Sequence, residues 1–162
     1  MKTSNENKGF RQVFSLILPV TVLIIVPGWL EYGCPIAMHW YLPIGLILMC
    51  LGFILTGITI SIFHKKGNGT LAPWDPPVNL ITTGPYAYVR NPMIMGVITV
   101  LFGEVLTLSS LKILIWILIF IVMNNVHFRL YEEPSLQKKF GNQYTNYKKQ
   151  VHRWNPRKKP YR

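Results

Sequence analysis

Charged residues are scarce in this chain of 162 residues. Only 14% of the residues are Asp, Glu, Lys or Arg, whereas a soluble domain usually carries about 25%. Acids are the scarcest class, with 6 Asp and Glu against 17 Lys and Arg, while hydrophobic residues reach 50%. This composition excludes a disordered chain and disfavours a nucleic-acid-binding protein, which needs a broad polar and basic face. It favours a small membrane protein with basic ends.

Several familiar site patterns are also missing. The two cysteines, Cys34 and Cys50, do not form a metal-ligand spacing such as C-x-x-C. No G-x-G-x-x-G follows a strand pattern, so a soluble-type nucleotide site is not predicted. Internal repeats are absent as well, which disfavours a transporter built from inverted repeats. We therefore predict no metal ion and no nucleic-acid partner.

Four apolar runs predict membrane-spanning helices, at 13–30, 41–63, 93–108 and 111–126. A span needs about 17–25 apolar residues, and the first two runs meet that length. The last two cover only about 24 Å at about 1.5 Å per residue, so we expect short spans extended by flanking residues. Two serines separate them, which predicts a tight helical hairpin. The expected fold class is an all-α integral membrane bundle of about four spans.

The distribution of positive charge predicts the orientation of these spans. Basic residues precede the first run, are absent from 31–40, reappear within 64–92 and are concentrated after the fourth run. Lys112 alone marks the tip of the hairpin. Because cytoplasmic loops carry the excess of Lys and Arg, both termini and the 64–92 loop should be cytoplasmic.

The 64–92 loop is the first of two polar segments where chemistry could take place. Its many Gly and Pro residues predict an ordered, irregular backbone, and it also carries Trp74, Tyr86 and Tyr88. One interpretation is a binding loop. The other is a membrane-surface loop with interfacial aromatic rings.

The second polar segment, 129–162, follows the fourth run. Apolar and aromatic side chains recur there at three- and four-residue steps, with lysines off the stripe, at Leu136, Phe140, Tyr144 and Tyr147. This pattern predicts a cytoplasmic amphipathic surface helix attracted to anionic lipids, followed by an anchoring coil. His152, in this basic tail, is expected at the surface.

Two adjacent acids, Glu132 and Glu133, interrupt this basic segment at the mouth of the fourth span. They could simply balance the charge of Arg129 or Lys138. They could also form a pocket for a cationic group, which their position next to a membrane-embedded helix favours. Asn124, Asn125 and His127 could line the same pocket or merely cap the helix.

Three stretches resemble one family. Residues 84–93, GPYAYVRNPM, followed by Gly96, are similar to a G-x-Y-x-x-x-R-H-P-x-Y-x-G motif. Residues 132–147 are similar to its partner E-E-x-x-L…F-G-x-x-Y-x-x-Y, and 151–156 to a closing V-P-R-W-x-P. These motifs belong to the superfamily of isoprenylcysteine carboxyl methyltransferases and phospholipid methyltransferases, which are integral membrane enzymes. The likeness covers about 64–157.

The resemblance implies S-adenosylmethionine as methyl donor, held by the C-terminal half on the cytoplasmic side. Carried over by position, the implied cofactor-binding residues are Leu80, Ile81, Tyr86, Arg90, Asn91, Pro92, Glu132 and Glu133. The chain departs from the motif where Asn91 replaces a His and Ile94 a Tyr. Asn can donate and accept hydrogen bonds but does not titrate near neutral pH, so a base at position 91 is not expected.

The chemistry of the donor suits these residue types. A carboxylate such as Glu132 can bind the α-ammonium, Arg90 can pair with the α-carboxylate, and tyrosine rings can face the adenine or the sulfonium. Asn91 would orient the reacting groups. Arg129 would meet an acceptor carboxylate or a lipid phosphate, or else extend to the headgroups. Asn91 and Arg129 are therefore the candidate catalytic residues.

The sequence leaves the acceptor open. We expect a two-span membrane region at 1–63 and a methyltransferase core at 64–162, acting on a prenylcysteine-like carboxylate, a phospholipid amine or another amphiphile. An alternative is an NADPH-dependent membrane reductase, because sterol reductases resemble this superfamily in their C-terminal region. A non-catalytic membrane protein is the third possibility. Glu104, deep in the third run, is either a functional acid or a hydrogen-bonded structural one.

Overall fold

Every regular element in the described part of the chain is helical. The computed structural model describes residues 19–32, 39–67 and 78–161. Four helices form the apolar part of the molecule: α1 Thr21–Leu30, α2 Leu42–Ile62, α3 Pro92–Leu108 and α4 Leu111–His127. Two short helices follow, α5 Glu133–Phe140 and α6 Asn142–Gln150. π-Helical turns at Phe63–Gly67 and Phe128–Glu132 extend α2 and α4, and a 3₁₀ turn covers Gly84–Ala87. The predicted all-α class is confirmed.

Two of these helical segments are long and apolar enough to cross a membrane. They are Leu42–Ile62 and the continuous segment Leu111–Phe140, whereas Thr21–Leu30 and Pro92–Leu108 are shorter. Residues 13–18 of the first predicted span lie outside the described residues, as do Lys2, Lys8 and Arg11. A hydrocarbon core of about 30 Å takes about 20 helical residues. Counted from Leu111, a span of that length would end near Phe128, with the charged residues from Arg129 onward beyond it.

The outward faces of α2 and α4 are apolar. Ile47 and Leu118 are each 59% exposed, and other Ile, Leu, Phe, Val and Met side chains on the two helices are similarly uncovered. Apolar patches of this extent do not occur on ordinary soluble monomers. Lipid is the environment that such faces require, which supports membrane association.

Helices α2 and α3 pack against each other through glycines. A Cβ on Gly52 would lie 2.7 Å from the Gly96 carbonyl oxygen, and one on Gly103 would lie 2.6 Å from that of Gly45. The low-numbered glycine of α2 thus faces the high-numbered glycine of α3, so the helices are antiparallel. Small residues at such an interface let two backbones approach closely, a common device between membrane helices.

Helices α3 and α4 form the predicted hairpin. Ser109 turns the chain with φ 51° and ψ 37°, and Ser110 caps α4 by accepting a hydrogen bond from the Ile113 N–H at 3.2 Å. Apolar side chains between the two helices, including Leu101 and Ile117, are fully buried. Helix α1 packs on this core through Leu23.

The polar groups divide between two ends of the bundle. At the end with the hairpin turn, Ser110 donates to Glu31 at 2.5 Å and Lys112 donates to the Leu30 carbonyl at 2.9 Å. The other end holds the 78–91 segment, α5, α6 and the C-terminal tail. The described parts of both polar segments therefore meet at one end.

The prediction of a single C-terminal amphipathic helix is wrong in two respects. Gly141, with φ 53° and ψ −124°, breaks it into α5 and α6. The stripe of Leu136, Tyr144 and Tyr147 is buried with Val151 in a second core rather than facing lipid. Tyr hydroxyls in the stripe require hydrogen-bond partners, which the protein interior supplies.

Candidate functional site

A cleft lies at the polar end of the bundle, where α2, α3 and α4 meet the C-terminal helices. The open space within it, counting the mouth that opens to solvent, is about 560 Å³. It is lined by residues from four parts of the chain, which are Phe63; Leu80, Ile81, Tyr86, Arg90 and Asn91; Phe128, Glu132, Glu133 and Leu136; and Tyr144 and Tyr147.

The Gly84–Ala87 turn carries one wall of the cleft. Gly84 has φ +63°, and a Cβ there would lie 2.7 Å from Ile62 Cδ1, so a glycine is needed at this point. The Tyr88 and Val89 amides both donate to the Pro85 carbonyl at 3.1 Å, and Ala87 and Val89 are buried. This compact turn fixes the positions of Tyr86 and Arg90.

Glu133 is enclosed by cations. Arg90 Nη1 donates to its Oε1 at 3.0 Å, Lys148 Nζ to its Oε2 at 2.6 Å, and Arg153 forms a further short ion pair with Oε1. Partial burial alone would raise the pKa of Glu133, but the hydrogen bonds from Lys148 and Arg153 and the charge of Arg90 hold it below its usual value. This carboxylate is ionised and fully engaged within the protein.

Glu132, in contrast to Glu133, has no paired cation in the part of the chain that the structure describes. Its side chain lines the cleft, and no hydrogen bond or ion pair reaches its carboxylate from the described residues. Burial raises the pKa of Glu132 to about 7, and the neighbouring Glu133 charge adds to the effect, while Arg153 and Arg90 oppose it. The two adjacent acids therefore differ: Glu133 is a structural ion-pair partner, and Glu132 is available to a ligand.

Three tyrosines complete the aromatic side of the cleft. Tyr147 Oη donates to the Tyr86 carbonyl at 2.6 Å, and Arg90 Nη1 donates to Tyr144 Oη at 3.2 Å. Burial raises the pKa of Tyr86 and Tyr147 above the usual value for tyrosine, so both phenols are neutral near pH 7. Arg90 also keeps one buried donor, Nε, without a partner in the described residues.

Most of the residues predicted to bind the cofactor line this one cleft. Pro92 is the exception, because it is fully buried at the first turn of α3, next to the cleft wall. Asn91 precedes it and makes no capping hydrogen bond with its side chain. Arg129 is exposed and lies outside the lining. The roles of these residues stay predictions.

The asparagines and histidine at the end of α4 do not line the cleft. Asn124 donates to the Phe120 carbonyl at 2.8 Å, and Asn125 accepts a hydrogen bond from Trp154 Nε1 at 3.0 Å. His127 stacks on Tyr131. Their expected role in a pocket is therefore not supported.

Sequence reasoning missed several parts of the site. The sequence predicts that Leu136, Tyr144 and Tyr147 form an apolar stripe, but on a helix at the membrane surface, and Phe63 and Phe128 belong to none of the motifs. Arg153 lies in the closing motif, yet only the fold reveals that it pairs with Glu133. Two tyrosines within an otherwise apolar stripe were the available signal, since their hydroxyls favour a protein interior.

These features define a helical, membrane-associated protein with a small-molecule cleft at the polar end of its long apolar helices. A family model described as phospholipid methyltransferase matches residues 40–143. The match covers more than half of the chain, which therefore belongs to the phospholipid methyltransferase family. Comparisons with curated proteins and with solved structures give no match. The predicted superfamily is confirmed, and membership implies a methyltransferase acting in a membrane setting.

Proposed function

We propose that this protein transfers a methyl group from S-adenosylmethionine to a lipophilic acceptor that reaches the cleft from the bilayer. One observation carries the proposal. In a cleft walled by tyrosine and aliphatic side chains, Glu132 is a partly buried carboxylate that makes no side-chain hydrogen bond or ion pair with the described residues, while its neighbour Glu133 is already paired with three cations.

The residues present fit this donor. The methyl group is carried on a sulfonium, next to an α-ammonium and an α-carboxylate. Glu132 supplies a carboxylate for the ammonium, and Arg90 has an unused Nε for the carboxylate. The rings of Tyr86, Tyr144 and Tyr147 offer faces that attract a cation and cover a purine.

Which acceptor the cleft can serve depends on whether one of its residues can remove a proton from that acceptor. A carboxylate acceptor needs only alignment and exclusion of water, whereas an amine must first lose a proton. Asn91 can orient an acceptor but cannot remove that proton. Within the described residues, Glu132 is the cleft acid with a pKa near neutrality. We propose an amphiphile bearing a carboxylate or an amine, with Arg129 meeting its acidic group near the membrane surface.

The topology that we propose has four spans, with both termini and the cleft on the cytoplasmic side. Two observations support it: the hairpin turn, Leu30 and Tyr41 lie at one end of the bundle, and the described parts of the basic 64–92 and 129–162 segments lie at the other. The division into a membrane region at 1–63 and a core at 64–162 remains a proposal. The family match itself begins at residue 40 and so includes α2.

Calorimetry with S-adenosylhomocysteine on the purified full chain tests the donor. A charged hydrogen bond contributes about 1.5–3 kcal/mol, so Glu132→Gln should weaken binding about ten- to hundredfold. Glu31→Gln makes the same change at the opposite end of the bundle and should leave the affinity unchanged. NADPH is the second ligand to titrate. Binding of NADPH in place of S-adenosylhomocysteine would instead support the reductase, and binding of neither would contradict the proposed enzyme.

A further inference from the structure

The C-terminal tail, residues 151–161, is hydrogen-bonded along the back of the loop that carries Tyr86 and Arg90. The Arg90 amide donates to the His152 carbonyl at 3.0 Å, the Arg157 amide to the Tyr88 carbonyl at 2.9 Å, and the Tyr161 amide to that of Ala87 at 2.9 Å. The sequence had suggested an anchoring coil here. The tail is instead paired along the loop that carries the cleft residues Tyr86 and Arg90.

Arg153 is the side chain of this tail that reaches the acidic pair. Its guanidinium donates from Nε to Glu133 Oε1 at 3.1 Å, forms a second, shorter contact from Nη2, and donates from Nη1 to Asn125 Oδ1 at 3.3 Å. Only 15% of its side chain is exposed, against 47% for Lys148, the other cation from the C-terminal region on Glu133. Arg153 thus joins the tail, α4 and the acid pair in one buried contact.

We infer that Arg153 is a positioning residue of the donor site: together with Arg90 and Lys148 it occupies the Glu133 carboxylate and leaves Glu132 as the acid that binds the donor's ammonium. This inference rests on the proposed function. Two neighbouring carboxylates repel each other, and as the pH falls the one with fewer countercharges is protonated first. Removing Arg153 takes a countercharge from Glu133 and from Glu132 together.

The pH dependence of ligand binding reports the pKa of Glu132. If Arg153 had a purely structural role, its removal would not change this pKa. The charged or titratable groups facing it come from the loop, from its own helix, from α6 and from the tail, and they are Tyr86, Arg90, Glu133, Tyr144 and Arg153. In the free protein the pKa of Glu132 is about 7. Without Arg153 it should lie higher, so that ligand binding requires a higher pH.

The experiment measures S-adenosylhomocysteine affinity from pH 5.5 to 8.5 for the full chain and three variants. For Arg153→Gln we expect the midpoint of the pH dependence to rise by about one unit, which makes binding at pH 7 weaker by a factor on the order of ten. Binding should recover at pH 8.5. Arg153→Lys should keep the midpoint close to that of the unsubstituted chain. Lys159→Gln, an exposed change of the same charge in the same tail, should behave like that chain.

Two results would overturn the inference: an unchanged midpoint in Arg153→Gln, or an equal loss of affinity at every pH. If Arg153→Gln does not fold, Glu133→Gln replaces it. That variant removes the repelling charge and frees Arg90 and Arg153 to pair with Glu132, so its midpoint should fall, and a midpoint that stays or rises contradicts the inference. If the unsubstituted chain itself does not bind S-adenosylhomocysteine, that distinct result contradicts the proposed function.

Discussion

At the scale of single residues, the environment gives two identical side chains different properties. Glu132 and Glu133 are adjacent in sequence and equal in chemistry. Glu133 receives three cations, whereas Glu132 lies in the cleft without a hydrogen bond from the described residues. A buried carboxylate without partners resists ionisation, and a paired one is held ionised. The same pair thus provides both a structural anchor and a group available to a ligand.

The affinity for S-adenosylhomocysteine should depend on pH through Glu132. The ammonium of the ligand pairs with the ionised carboxylate, and the pKa of Glu132 in the free protein is raised to about 7. Affinity should therefore fall as the pH drops below 7, by about tenfold for each unit, and level off above it. Binding near pH 7 should release protons, which calorimetry detects by comparing buffers of different ionisation enthalpy. The Glu132→Gln variant should show neither effect, and a pH-independent affinity in the unsubstituted chain would contradict this assignment.

At the scale of secondary-structure elements, close approach between α2 and α3 positions the cleft. The two helices are in contact over glycines at both ends of the interface, Gly45 with Gly103 and Gly52 with Gly96. Helix α2 leads directly to Phe63, and α3 begins directly after Asn91, both of which line the cleft. A change in the spacing of these helices would therefore be transmitted to the cleft walls.

A methyl group at Gly52 should destabilise the bundle. The added Cβ would lie 2.7 Å from both the Gly96 carbonyl oxygen and the Val100 amide nitrogen, which are backbone atoms that cannot rotate away. Overpacking of this kind costs about 1–3 kcal/mol, so Gly52→Ala should lower the free energy of unfolding in mixed micelles by that amount. Gly57→Ala is the matched control on the same helix, because a Cβ there meets nothing within 4 Å. Equal stability of the two variants would show that the glycine contact is not tight.

At the scale of the whole molecule, charge and apolar surface are arranged along one axis. Apolar faces cover the middle of α2 and α4, and the described exposed lysines other than Lys112 lie at the end that carries the cleft. This arrangement is typical of a protein whose basic end faces the cytoplasm. Under the proposed function, a cleft for a water-soluble donor would then lie beside apolar helices along which a lipophilic acceptor could enter.

Reporter fusions test the orientation. A reporter that is active only outside the cytoplasm should be active when it is inserted at residue 35 and inactive when it is fused after residue 162. Insertion between Ser109 and Ser110 is an internal check, because hydrogen bonds connect this turn to Glu31 and Tyr41, and it should behave like the insertion at residue 35. Equal activity at positions 35 and 162 would exclude four spans.

The amino-acid sequence alone is enough to predict the all-α class and the methyltransferase family of this protein. Long uncharged runs favour helices in lipid, because a helix satisfies every backbone polar group within its own segment. The motifs then indicated the family and most of the cleft, including Tyr86, Arg90 and Glu132. Only the tertiary structure decided how these groups are paired. Arg153 and Tyr144 approach Arg90 and Glu133 from positions far along the chain, and Gly141 redirects the apolar stripe into the protein interior. Local spacing fixes the face of a helix on which a side chain lies, but its partners and its pKa depend on which distant segments pack against that face.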